Sequence, residues 1–371
     1  MSSAAAAPPL PRANPHLVGQ DRAAAILWRS WRSGRLPHGW LIHGPPGTGK
    51  ATLAFRFARA LLADAGGAPA DAPGEHHPVF RMVASGAHPD LHVIEPLRDT
   101  RGRLKSEIPV DAVRQVSASL HSTPAMGGHR VVVIDAAEQL NRNAANALLK
   151  PLEEPPRETV LLLISHHPAR VLPTLRSRCA KLRCDRLAEA EVEGVVQRVL
   201  PDLPAARRQA LVRLASGSPG RAFELEASGA LDLCTELLGA LASGSEGRPV
   251  LARLATELAK RADQHGSAAP LALLQAVIGR IVAAGAGRPE PAIVPDEAAA
   301  LRALAAARPL DRWAGLWEKT ARLAARADAV NLDRAQVYHH VLTGLVPGRD
   351  DLAVWSGTPL GDPLGDPYGL A

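Results

Sequence analysis

The segment GPPGTGKATL, residues 44–53, contains the residues best suited to bind a phosphate group. It follows an apolar run and precedes a helical one, which predicts a strand, a glycine-rich loop and a helix. In such a loop the backbone N–H groups and the positive end of the helix point at phosphates, and Lys50 neutralises their oxygens. The alternative is a Gly/Pro turn without a ligand. The candidate nucleotide-binding residues of the loop are Gly44, Gly47, Thr48, Gly49 and Lys50.

Two residue types that ATP hydrolysis requires are missing from this sequence. Ala51 follows the lysine, where such loops normally carry the Ser or Thr hydroxyl that holds magnesium. Thr52 lies about 100° further round the helix and should not replace that ligand, although it remains a candidate nucleotide contact. Asp135 ends the apolar run RVVVID and is placed to hold magnesium through water, but Ala136 follows it instead of a Glu that would activate water. We therefore expect ATP or ADP to bind weakly or not at all, and we expect hydrolysis to be absent or weak. Whether magnesium binds is left open.

The first half of the chain alternates apolar runs with helical stretches, which predicts an α/β fold with a parallel sheet. The predicted strands cover residues 39–43, 91–94, 130–135 and 159–165, and the predicted helices cover residues of about 50–63, 111–120 and 142–150. Pro151 should end or kink the last of these helices near Lys150. Glu138 should lie at the surface or cap the following helix.

Strand-like runs stop after Cys184, and the remaining sequence is helical. We expect a disordered leader (1–14), a P-loop nucleotide-binding domain (15–186), a small helical lid (187–229), an all-α collar (230–346) and a disordered tail (347–371).

The composition of the 371 residues bounds the class of protein. The net charge of +6 and a pI of about 9.6 fit a polyanionic partner about as well as a merely solvated surface. Three sparse cysteines argue against a disulfide-built secreted protein. The N-terminal sequence has no export signal pattern, and no apolar run is long enough to span a membrane. These features predict a cytoplasmic protein without a membrane partner.

Two longer segments, NALLKPLEEPP (146–156) and LLLISHHPARVLPTLRSRC (161–179), closely resemble the clamp-loader branch of the AAA+ family. The similarity is to bacterial DNA polymerase III subunits of the delta-prime and gamma/tau types. It extends to LVGQ at 17–20, and more weakly to GSPGRA at 217–222 and VNLDRAQ at 330–336. Gamma/tau-type motors keep the magnesium Ser/Thr and the Asp-Glu pair, so Ala51 and Ala136 favour the delta-prime type.

The resemblance assigns roles to residues outside the loop. Arg178 matches the arginine of the S-R-C motif, which reaches into the nucleotide site of a neighbouring subunit. A guanidinium supplied in this way stabilises the charge of phosphoryl transfer. The alternative is an arginine that only braces the domain surface, and Arg176 is near enough to be confused with it. Val18 and Gly19 match an adenine contact, and Arg221 lies near the lid position that senses the γ-phosphate.

The implied function is that of a non-motor stator subunit in DNA replication. With gamma/tau and delta-type subunits it would open a sliding clamp and place it on primed DNA, and polymerisation would belong to another subunit. Relatives that carry a zinc module use four cysteines, and the corresponding region here has none, so we expect no zinc. Two alternatives remain: an ATP-hydrolysing motor of gamma/tau type, and an AAA+ protein that remodels nucleic acid without a clamp.

Overall fold

The computed structural model describes residues 8–64, 71–96, 107–120, 123–265, 268–288, 292–293, 297–327 and 334–345. The chain divides into two compact units, Met1–Glu224 and Leu225–Ala371. The predicted tail and part of the VNLDRAQ motif lie outside the described residues. The predicted division into leader, lid and collar stays a prediction.

The first unit is built on a parallel sheet whose described strands lie in the order β2-β3-β4-β1-β5. The strands are β1 (Gly39–His43), β2 (Leu91–Ile94), β3 (Arg130–Asp135), β4 (Thr159–Ser165) and β5 (Ala180–Arg183). The four predicted strands and the α/β class are confirmed. Sequence reasoning missed β5, in which only one of four residues is buried.

Both faces of the sheet are covered, which explains why its central strands read as continuous apolar runs. Alternate residues of β1 enter different cores: Trp40 and Ile42 pack with α1 and α2 on one face, and Leu41 packs on the other. The helices that begin in this unit are α1 (Asp21–Arg32), α2 (Lys50–Leu62), α3 (Pro78–Ser85), α4 (Val110–Ser119), α5 (Arg142–Ala147), α6 (Leu149–Glu153), α7 (Pro173–Arg178), α8 (Glu189–Val199), α9 (Ala205–Ala215) and α10 (Pro219–Ala227).

The helix predicted over about 142–150 is two short helices, α5 and α6. The backbone N–H of Ala144 donates to the Asn141 side chain at 2.8 Å, which caps α5. The break falls at Leu148, earlier than the predicted position near Lys150. Pro151 lies in the first turn of α6, where a missing backbone N–H removes no helical hydrogen bond.

A short segment before α1 is tied to the first unit by a buried arginine. The Arg59 guanidinium donates to the carbonyls of Arg12 at 3.1 Å and Asn14 at 3.0 Å. It also lies 4.6 Å from the centre of the Phe80 ring. Burial lowers the pKa of Arg59 to about 10.

The second unit is helical in its described part. Its helices are α11 (Ala230–Ala242), α12 (Arg248–His265), α13 (Ala268–Gly285), α14 (Glu297–Ala306), α15 (Leu310–Ala327) and α16 (Arg334–Leu345). The core contains a buried ion pair, with Arg280 Nε 2.6 Å from a Glu297 carboxylate oxygen. No helix among the described residues is both long and apolar enough to cross a membrane.

Candidate nucleotide site and exposed arginine

The glycine-rich loop connects β1 to α2 as predicted, with Gly49 immediately before the first helical residue, Lys50. The Lys50 ammonium donates to the Pro45 carbonyl at 2.5 Å, and the Thr48 hydroxyl donates to the same oxygen at 2.9 Å. Gly44 lies against the end of β5, because a Cβ there would be 2.1 Å from the Cys184 carbonyl oxygen. The loop is therefore compact, and it presents a cation and a helix N-terminus at one place.

The GSPGRA turn packs directly on this loop within the first unit. The Ser218 hydroxyl donates to the Pro46 carbonyl at 2.9 Å, and the Gly220 N–H donates to the Gly47 carbonyl at 3.0 Å. Gly47 has φ +70, and a Cβ at this position would be 2.4 Å from the Ser218 Oγ. Only glycine fits both the backbone conformation and the space. Sequence reasoning included this turn only as a weaker part of the resemblance and assigned no role to Ser218.

Gln20 connects the loop to a third segment. Its buried side-chain amide donates to the Thr48 carbonyl at 3.0 Å and to the Asp185 carbonyl at 2.8 Å. Next to it, Gly19 has φ +72 and lies against Leu187 at the start of the following helical region. These contacts bring residues 19–20 to the loop. Gln20 was part of the quoted LVGQ motif, but its side chain was not predicted as a site residue.

Two oppositely charged residues near the loop, Lys50 at the start of α2 and Asp135 at the end of β3, have shifted pKa values. Burial lowers the pKa of Lys50 to about 8, although the charges of Asp135 and Glu138 oppose the shift. Burial raises the pKa of Asp135 to about 6, and the charge of Lys50 only partly offsets this. Ala136 follows as a buried alanine, so the position beside Asp135 provides no carboxylate.

Glu138 lies at the sheet end rather than on the surface. Its Oε1 accepts the backbone N–H groups of His166 at 2.8 Å and His167 at 3.2 Å, just after β4. Burial alone would raise the pKa of Glu138, but hydrogen bonds from backbone N–H groups hold it below its usual value. Burial, with the Lys50 charge, lowers the pKa of His166 to about 4, so this imidazole is neutral at pH 7. The expectation of a surface or capping role missed this contact.

The donors present suit phosphate better than they suit magnesium. A buried ammonium, a helix N-terminus and closely packed glycines are the features that hold phosphate oxygens. The Ala51 side chain has no oxygen to bind magnesium, and Thr52 is buried within α2. A nucleotide would place its phosphates at residues 47–50. In the described residues no group of three or more His, Cys, Asp and Glu side chains is arranged to hold a metal ion.

Arg178 ends α7 with its side chain 36% exposed. Its Nη1 donates to the Thr174 carbonyl at 3.1 Å, and its Nη2 lies 2.6 Å from the Glu153 carboxylate. Arg176 is half-buried and donates to the Pro168 carbonyl at 3.3 Å. Of these two arginines, Arg178 is the one whose guanidinium is accessible to another molecule.

A family model described as "DNA polymerase III, delta subunit" matches residues 19–188. The DNA polymerase III subunit delta' of Pseudomonas aeruginosa is 43% identical over 192 residues, which are 52% of this chain and 56% of the relative. The delta' subunit of Escherichia coli K12 is 35% identical over 206 residues, 54% of this chain and 57% of the relative. Residues 19–188 are therefore similar to the delta' subunits of DNA polymerase III.

The tau subunit of DNA polymerase III of Escherichia coli K12 is 28% identical over 233 residues, 61% of this chain and 35% of the relative. A solved gamma subunit-related protein of Thermotoga maritima aligns with 87% of this chain and 98% of its own, at 16% identity and a TM-score of 0.39. The chain spans about half the length of the curated delta' relatives that it matches.

The structure brings some of the predicted site residues together. The loop residues, Gly19 and the nearby Asp135 lie around one site. Arg221 is half-buried in α10, and its backbone N–H donates to the Ser218 Oγ at 3.2 Å, so its backbone reaches the loop region. Burial lowers the pKa of Arg221. The roles of Arg221 at a γ-phosphate, of Val18 at adenine and of Thr52 at nucleotide stay predictions.

Proposed function

We propose that this chain acts as the delta-prime subunit of a DNA polymerase III clamp loader in the cytoplasm. It would work as a stator beside gamma/tau and delta-type subunits while the complex places a sliding clamp on primed DNA. The observation that carries this proposal is the family match over residues 19–188 together with the accessible Arg178 guanidinium. Polymerisation would occur in another subunit.

The proposed chemical contribution is the supply of Arg178 to a neighbour's nucleotide. Phosphoryl transfer spreads negative charge over the γ-phosphate oxygens, and a guanidinium supplied in trans can increase the rate by ~10³–10⁵ at that site. Arg178 is suited to this because its charge is permanent and its side chain is exposed. The chain's own loop would hold ATP or ADP weakly through Lys50 and the N–H groups of α2.

The test is ATP turnover by the reconstituted loader, with clamp and primed DNA, comparing the original chain with Arg178→Ala. We expect a fall of about tenfold or more because one site loses its trans charge. Arg176→Ala is the matched control, since its half-buried guanidinium braces its own domain, and this variant should retain most turnover. Equal rates for the original chain and Arg178→Ala, with assembly intact by gel filtration, would reject the donated arginine.

The competing function is hydrolysis at the chain's own loop. The observation that supports it is the lowered pKa of Glu138, whose ionised carboxylate interacts with the charge of Lys50 and could act as a general base. Turnover by the purified chain above background, abolished by Lys50→Ala, would favour it. We expect no such turnover, because Ala51 and Ala136 remove the magnesium hydroxyl and the usual general base.

A further inference from the structure

The LEEPP and S-R-C motifs meet in an ion pair between two short helices. Glu153 is the last residue of α6 and Arg178 is the last residue of α7, and their charged groups are 2.6 Å apart. Both side chains are substantially exposed, at 48% for Glu153 and 36% for Arg178. The pair is therefore accessible to solvent and to other molecules.

The backbones that carry this pair are fixed although its side chains are not buried. Leu152 and Cys179, the neighbours of the two charged residues, are buried, and both lie against Gly39 at the start of β1. The Leu152 carbonyl is also 2.8 Å from the His38 Nε2. Because these contacts hold both helix ends at one strand, Glu153 and Arg178 lie within reach of each other.

In this structure the guanidinium of Arg178 is held by partners within its own chain. Nη1 is bonded to the Thr174 carbonyl of the same helix while Nη2 is paired with Glu153. A guanidinium that is neutralised by a carboxylate stabilises a phosphate less, and the carboxylate itself repels the phosphate. Transfer of Arg178 to a neighbour's γ-phosphate therefore requires separation from Glu153.

We propose that Glu153 is an exchangeable counter-ion of Arg178. It restrains Arg178 until the nucleotide of a neighbouring subunit replaces Glu153 as the partner of the guanidinium. The proposal rests on the proposed function, since it concerns the same trans arginine. Exposed ion pairs are weak, so the restraint is small and reversible. Its loss should change a rate by about two- to fivefold, equivalent to about 0.4–1 kcal/mol.

The experiment measures ATP turnover by the reconstituted loader without clamp or DNA. Glu153→Gln keeps the shape and removes the charge, so turnover should rise about two- to fivefold at low salt. The gain should shrink as salt screens the ion pair of the original chain. Glu154→Gln is the matched control, because Glu154 is the exposed neighbour and forms no ion pair in the described part of the chain. It should leave turnover unchanged.

Two further comparisons distinguish a failure of the proposed restraint from a failure of the proposed trans arginine. Adding Arg178→Ala to Glu153→Gln should abolish the gain, which a general structural effect of the Gln substitution would not predict. An unchanged or lower rate for Glu153→Gln, in a loader that loses turnover with Arg178→Ala, overturns the restraint alone. If Arg178→Ala has no effect, both the restraint and the proposed trans arginine are wrong. Co-elution and thermal melting check that each variant folds and assembles.

Discussion

Replacing Asp135 by Asn should stabilise the chain at neutral pH. Burial raises the pKa of Asp135 from 3.8 to about 6, so the folded state holds its proton more tightly than the unfolded state. A raised carboxyl pKa lowers the free energy of unfolding as pH increases from about 4 to about 6. The full penalty is present above that range and absent below it.

The size of the effect follows from the shift. About two pKa units correspond to ~3 kcal/mol, because each unit is worth about 1.4 kcal/mol. This value already includes the attraction of Lys50, which opposes the shift. Asp135→Asn should therefore raise the free energy of unfolding by up to ~3 kcal/mol at pH 7.5, and by less than ~1 kcal/mol at pH 4.

Urea unfolding of the purified chain at both pH values would measure the effect. Hydrogen exchange of the β3 amides would assign it to the first unit. Asp111→Asn is the control, because the Asp111 side chain is 87% exposed, and it should change stability little at either pH. Destabilisation by Asp135→Asn at pH 7.5, or an equal gain at pH 7.5 and pH 4, would refute the assignment of a desolvated carboxylate with a raised pKa.

The remaining predictions concern stability. Glu297→Gln should destabilise the second unit by ~3–5 kcal/mol, because it leaves the buried Arg280 charge without its carboxylate. Thermal melting measures this loss of stability. Glu236→Gln is the control, because it removes the exposed ion pair with Arg253 and should lower the stability by less than ~1 kcal/mol. Equal losses of stability for the two variants would contradict the difference in burial between the two ion pairs. Gly47→Ala should lower the first unit's stability by ~1–3 kcal/mol, since its Cβ would meet Ser218 at positive φ; an unchanged melting temperature would show that the turn can move away.

The sheet could be predicted where burial on both faces left a continuous apolar signal. The four predicted strands have the bounds that the structure shows, because each buries most of its side chains or pairs with a strand that does. The fifth strand, AKLR, alternates exposed and buried positions and contains two cations. Its strand structure comes from pairing with β1, which no local pattern of four residues shows.

The candidate site was predictable where chemistry follows from adjacent residues. The loop spacing located Lys50, and the end of an apolar run located Asp135. The Ser218 contact joins segments about 170 residues apart in sequence, and the Glu138 contact depends on the end of another strand. Such long-range hydrogen bonds need the folded chain, so the sequence could only indicate that these segments were polar or glycine-rich.

The glycine-rich loop and the nearby end of β3 carry charged residues that do not improve folding. Lys50 and Asp135 are each disfavoured in their charged forms, and buried charges are commonly less stabilising than apolar side chains of similar volume. Shifted pKa values of this kind are typical of functional sites. The loop also lacks the magnesium hydroxyl and the usual general base, so ATP hydrolysis is not the expected role of these charges. Hydrogen bonds from the GSPGRA turn to the carbonyls of Pro46 and Gly47 give the loop a second use, which is to fix that turn in place. If this use is sufficient, replacing both Lys50 and Asp135 by neutral residues should leave the ATP turnover of the reconstituted loader unchanged. If the loop also binds nucleotide weakly, that binding should require Lys50.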